Sequence, residues 1–141
     1  VPAIIRWPGK VPAGRANAAI VSTLDVLPTF VALAGEDTPT DRVIDGVDQR
    51  ELFLGNSETG ARDRFFYYED DELQAVRVGA WKLRLPGLKR HRNWSELDRG
   101  SQDAQLFHLE RDISESEDLV TDEPDVFKRL TDIAERAKVR R

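Results

Sequence analysis

The chain contains only two histidines and no cysteine, so the residues that could do chemistry are few and each can be weighed. His91 lies in KRHRNW, flanked by Lys89, Arg90 and Arg92. Arginine forks and an imidazole on one loop suit recognition of an anion such as sulfate, phosphate or carboxylate. Trp94 beside them offers a ring that can stack on a sugar. The competing reading is a solvated basic loop, since runs of charge are usually surface. His108 sits in LFHL among apolar residues and reads as structural, because a metal ligand needs companions at metal-site spacing and none are present. The acidic runs EDDE at 69–72 and SESED at 114–118 lack the alternation and the glycine of a calcium loop, and read as solvated turns and links. Asp25 reads as a helix cap and Asp45, before Gly46, as a turn residue.

The larger constellations are missing as well. The chain has no GxSxG elbow, no phosphate loop and no glycine-rich dinucleotide fingerprint. Without cysteine it has no disulfide framework, no thiolate metal site and no thiol nucleophile. Its 21 Lys and Arg against 26 Asp and Glu give a formal net charge of −5, which argues against non-specific nucleic-acid binding, whose affinity comes from neutralising phosphates. No apolar stretch is long enough to cross a bilayer, and no basic-then-apolar signal segment opens the sequence. Charged residues make up 33% of the 141, above the usual quarter, while the apolar content is that of a globular protein.

The elements that must position these residues fall into two kinds. The opening VPAIIRWPGK reads as a strand buried in a sheet whose other strands precede Val1, since Ala3, Ile4, Ile5 and Trp7 are interrupted only by Arg6. After an irregular link, STLDVLPTFVALAG predicts a helix of two to three turns. Leu27, Phe30, Val31 and Ala34 share its apolar face, with Leu24 extending it; Ser22, Thr23 or Asp25 caps the start; Pro28 is confined to the first turn; Gly35 stands at C′. Residues 36–63 read as connecting structure with the turn Asp45-Gly46 and the patch Leu52-Phe53-Leu54.

From Arg64 the period becomes that of strands. FFYY at 65–68 is an aromatic strand, and LQAVRVGAWKLRL a hairpin turning at Gly79-Ala80. Alternation places Gln74, Val76 and Val78 on one face of the first arm, and Trp81, Leu83 and Leu85 on one face of the second, with Lys82 and Arg84 opposite; only one side of this sheet need be dry. A long loop holding the basic cluster precedes the strand QLFHL. The last segment repeats Phe127, Leu130, Ile133, Ala134 and Ala137 at three and four residues, an amphipathic helix entered at Asp122 or Glu123 before Pro124.

Five segments in this order, VPAIIRWPGKVPAG, STLDVLPTFVALAG, VIDGVDQRELFLG, AVRVGAWKLRL and LFHLERDISESEDL, resemble the C-terminal part of arylsulfatase-type sulfatases. The resemblance covers nearly the whole chain. It implies an α/β fragment plus an α+β unit. Residues 1–60 would be the last strand, helix and connection of an alkaline-phosphatase-like sheet, and 61–141 a small antiparallel sheet packed with a C-terminal helix. Three positions depart from the family pattern: His108 stands where relatives usually have Asp, Ile113-Ser114 replaces a proline-containing turn, and Asp118 replaces a frequent Asn.

For the parent, the resemblance implies a sulfuric ester hydrolase that uses formylglycine, made in a Cys/Ser-x-Pro-x-Arg motif, with calcium held by carboxylates and an amide. Neither maps onto this chain, and the family's Lys-Gly…Glu-Gly-Gly segment would fall before Val1. No catalytic or metal-binding residue is therefore carried over, no cofactor is expected on this chain, and the piece is expected to be inactive alone. Its contribution to a sulfate-ester substrate is expected at the rim, through Arg90, His91 and Arg92. The resemblance also implies a periplasmic or secreted parent. The alternatives are a fragment of another alkaline-phosphatase-superfamily hydrolase and a stand-alone binding or assembly module. Neither nucleic acid nor membrane is an expected partner, while an open edge at Ile4 and Ile5 would allow homo-oligomers through the N-terminal strand.

Overall fold

The computed structural model describes residues 3–87 and 103–139, and the chain divides into two compact units, Val1–Asp63 and Arg64–Arg141.

The first unit is built on short helical turns. A 3-10 turn at Thr23–Asp25 leads directly into α1, Val26–Leu33. Ser22 is the cap: its hydroxyl accepts from the Leu24 N–H at 3.3 Å, and the Asp25 carboxylate reaches back to the Ser22 N–H at 2.9 Å. Pro28 is the third residue of α1, where its missing N–H leaves no hydrogen bond unmade. Gly35, at φ 85°, ends the helix as expected. Its N–H bonds the Ala32 carbonyl and the Glu36 N–H bonds that of Val31, both at 3.1 Å, which ties off two of the carbonyls of the last turn. The same device ends α2, Arg50–Phe53, at Gly55.

Residues 3–7 pair with no other strand among the described residues, where every ladder lies in the second unit. A strand is completed by a neighbour's N–H and C=O groups, and the expected strand takes its neighbours from outside these residues. One expectation for this unit differs from what is observed, since the predicted apolar face of α1 is not the buried one: Leu27 and Phe30 are 58% and 61% exposed, while Pro28 and Thr29 are buried.

The second unit is a four-stranded antiparallel sheet in the order β1 (Arg64–Glu69), β2 (Glu72–Val78), β3 (Trp81–Arg84), β4 (Gln105–His108), followed by α3, Pro124–Val139. The β2–β3 hairpin turns at Gly79-Ala80, with Gly79 at φ 57° as a glycine-first turn requires. The β1–β2 pairing slips between Tyr67 and Tyr68: Tyr67 faces Ala75 and Tyr68 faces Leu73, so Gln74 has no opposite residue on β1. This bulge corrects the expected alternation. It turns Leu73, rather than Gln74, into the core with Val76, Leu83, Leu85 and Leu106. The helix closes that core with Leu130 and Ala134, and Phe127, Ile133 and Ala137 pack around them, so the whole predicted stripe is used.

The other face of the sheet is not simply wet. Phe107, opposite Lys82 on the neighbouring strand, is 1% exposed, and Ala75 is buried too. The expectation of a single dry side rested on the visible Lys82 and Arg84, and missed that the bulge and β4 bring apolar residues to the same face.

Candidate functional site

The first unit holds a buried polar cluster that has the composition of a catalytic centre: an aspartate, a threonine, a glutamine and an arginine. Asp25, Thr29 and Gln49 are all buried. The turn at Ser22 fixes Asp25 at the entrance of α1, and one helical turn later Thr29 donates to the Asp25 carbonyl at 2.6 Å. The chain then returns after Gly46 to bring Val47 and Gln49 alongside. Gly46 permits this return, because a Cβ there would lie 1.9 Å from the Leu24 carbonyl oxygen.

Every acceptor site on Asp25 is engaged. One carboxylate oxygen accepts from the Val47 N–H at 2.9 Å and from the Arg62 guanidinium. The other accepts from the Ser22 N–H at 2.9 Å, the Gln49 amide at 3.3 Å and Arg62 Nε at 3.2 Å. Burial acts to raise the pKa of Asp25, but Arg62, the two N–H groups and the Gln49 amide outweigh it and hold the carboxyl below its ordinary value. Arg62 also donates to the Asp45 carbonyl at 3.0 Å. Gln49 is spent as completely: its side-chain amide N–H groups reach the Ile20 carbonyl and Asp25, its oxygen accepts from the Ala61 N–H at 2.8 Å, and its backbone N–H donates to the Thr29 hydroxyl at 2.9 Å.

A carboxylate so saturated has no lone pair left for a metal or a transferring proton. The arrangement ties the helix entrance to two distant segments, and its chemistry is structural. Asp25 is therefore the capping-box partner of Ser22 rather than the cap itself, and that role is only part of what it does. The aspartate and threonine four residues apart were visible in the sequence, whereas Val47, Gln49 and Arg62 follow 22, 24 and 37 residues later with no local signal.

An open groove of about 390 Å³ in the same unit is lined by apolar residues including Ile4, Ile5, Val21, Leu52 and Phe53. Its polar residues are already taken up: Arg15 pairs with Glu58 and donates to the Gly55 carbonyl at 2.6 Å, and Asn17 donates to the Glu58 carbonyl at 2.8 Å.

In the second unit Lys82 pairs with Glu115 at 2.5 Å and lies 5.3 Å from the centre of the Tyr67 ring. Glu115 takes φ 56°, an uncommon backbone for a residue with a side chain, inside a turn stapled by Asp112. The Asp112 carboxylate accepts from the N–H groups of Ser116 and Glu117 at 2.6 and 2.8 Å and from the Ser116 hydroxyl at 3.0 Å, and these bonds hold it below its ordinary pKa. SESED is thus a link with an ordered turn, exposed as expected at every residue but the half-buried Glu115. Asp118 accepts from the N–H groups of Leu106 and Val120, both at 3.1 Å, joining β4 to the segment before α3.

His108 packs edge-on to Trp81, ring centres 4.6 Å apart, with a buried Nδ1 that has no hydrogen-bond partner among the described residues. The EDDE run forms the β1–β2 turn, with Asp70 at φ 51°. Among the described residues no group of three or more His, Cys, Asp or Glu could hold a metal ion. No helix among them is long and apolar enough to cross a membrane. Arg90, His91 and Arg92 lie outside the described residues.

A four-stranded antiparallel sheet followed by a C-terminal helix is an arrangement that solved, alkaline-phosphatase-like sulfatases share. One, from work on the metabolism of multiple glycosaminoglycans by Bacteroides thetaiotaomicron, superposes with a TM-score of 0.77 at 26% identity, over 96% of this chain and 28% of that one. A sulfatase from Pseudoalteromonas sp. has the same fold, with a TM-score of 0.73 at 21% identity over 93% of this chain and 28% of its own.

By sequence the chain is 37% identical over 123 residues to arylsulfatase G of Canis lupus familiaris, covering 82% of this chain and 23% of that protein. It is 34% identical over 159 residues to N-acetylgalactosamine-6-sulfatase of the same species, covering 96% and 30%. The chain thus spans under a third of the length of these relatives. Residues 1–138 match the family described as N-sulphoglucosamine sulphohydrolase, C-terminal, and the chain belongs to that family.

Proposed function

We propose that this chain is the C-terminal part of a sulfate-ester hydrolase and supplies the rim of the substrate pocket and a fold that supports it, while the reacting groups lie in another part of the enzyme. The reading is carried by the family match over residues 1–138 in a chain that lacks any Cys/Ser-x-Pro-x-Arg segment. The saturated hydrogen bonding of Asp25 and Gln49 supports it, because the best-built polar cluster has no free valence for catalysis. In the whole enzyme, formylglycine would supply the nucleophile, and calcium with basic groups would stabilise charge on the sulfuryl oxygens.

Within this chain the substrate contact is assigned to the basic loop: Arg90 and Arg92 to sulfate or carboxylate oxygens, and His91 to a neighbouring hydroxyl or anionic oxygen. The test has two arms. The 141-residue chain should show no calcium-dependent turnover of an aryl sulfate, and turnover above a boiled control would overturn the reading. In a sulfatase that carries this chain, Arg90→Ala with Arg92→Ala should raise KM about tenfold and leave kcat nearly unchanged, the signature of lost ground-state binding. An unchanged KM would remove the loop from the substrate site.

A further inference from the structure

We draw no further inference here: the strongest candidate, the exposed apolar stripe of Leu24, Leu27 and Phe30 at the start of and along α1, carries nothing because nothing in the structure shows what covers it.

Discussion

The two units solve the problem of burial in opposite ways. In Arg64–Arg141 the completely buried residues are apolar, with Val76, Leu83, Leu106, Leu130 and Ala134 meeting between the sheet and α3. In Val1–Asp63 the most deeply buried residues are Asp25, Thr29 and Gln49, while Ile4, at 95% exposure, Leu27 and Phe30 face outward. Hydrophobic burial is non-directional and roughly proportional to area, so a sheet and helix with matching apolar faces close on themselves. A hydrogen-bonded hub instead specifies which segments meet without burying much apolar surface, and loses heavily when one member is removed. The second unit therefore draws its stability from packing. The first draws its definition from a few polar contacts.

The sharpest way to break this contrast is Asp25→Ala. Arg62, whose side chain is 13% exposed, would lose its ion pair with Asp25, and the Ser22 and Val47 N–H groups their acceptor. Removing one partner of a buried pair costs about 3–5 kcal/mol. Hydrogen exchange should show protection lost throughout Val1–Asp63 and retained in α3 and the sheet. Equal loss in both units would contradict the division.

Leu130→Ala should cost about 2–5 kcal/mol by opening a cavity beneath the sheet, with the opposite exchange pattern. Urea unfolding followed by tryptophan fluorescence, with Trp7 and Trp94 replaced by Phe so that Trp81 alone emits, would report it. Gly46→Ala comes next: the Leu24 carbonyl must move to admit a methyl group, a strain on the order of 1–3 kcal/mol, again confined to the first unit. A melting temperature equal to that of the wild type would show that the close approach at Gly46 is not needed.

Acid gives a milder test of the hub. The folded-state pKa of Asp25 is depressed below the ordinary 3.8. Its stabilising contribution is therefore fully present above the unfolded value and is lost as pH falls through the folded one. Asp25→Asn should flatten the acid end of the stability curve below about pH 4. An unaltered acid limb would assign that loss to other carboxylates, such as Asp112. The smallest effect is expected from Glu115→Gln, since a partly exposed ion pair contributes about 1 kcal/mol or less. Its strained backbone would persist, because Asp112 rather than Glu115 holds the turn. A loss of several kcal/mol in chemical denaturation would show that the Lys82 pair organises the turn instead.

What the sequence made legible divides along the same line. The α3 stripe, the Gly35 stop and the Gly79-Ala80 turn depend on residues within one or two turns of each other, so periodicity and glycine chemistry sufficed. The bulge at Gln74 was hidden because strict alternation is the default for a strand, and only packing against α3 selects Leu73 for the core. The hub was hidden because its members are separated by tens of residues, and Gln49 and Arg62 look like any surface polar residues. The family was legible from the order of five segments, each of them weak alone.

The most direct test of the account is sulfatase activity itself. Calcium-dependent hydrolysis of an aryl sulfate should be measured for the 141-residue chain beside a sulfatase that carries it as its C-terminal part, both shown to be folded by circular dichroism. Turnover by the longer enzyme alone is the predicted result. Turnover by the 141-residue chain would contradict the claim that its polar clusters build the fold and leave the chemistry to another part of the enzyme.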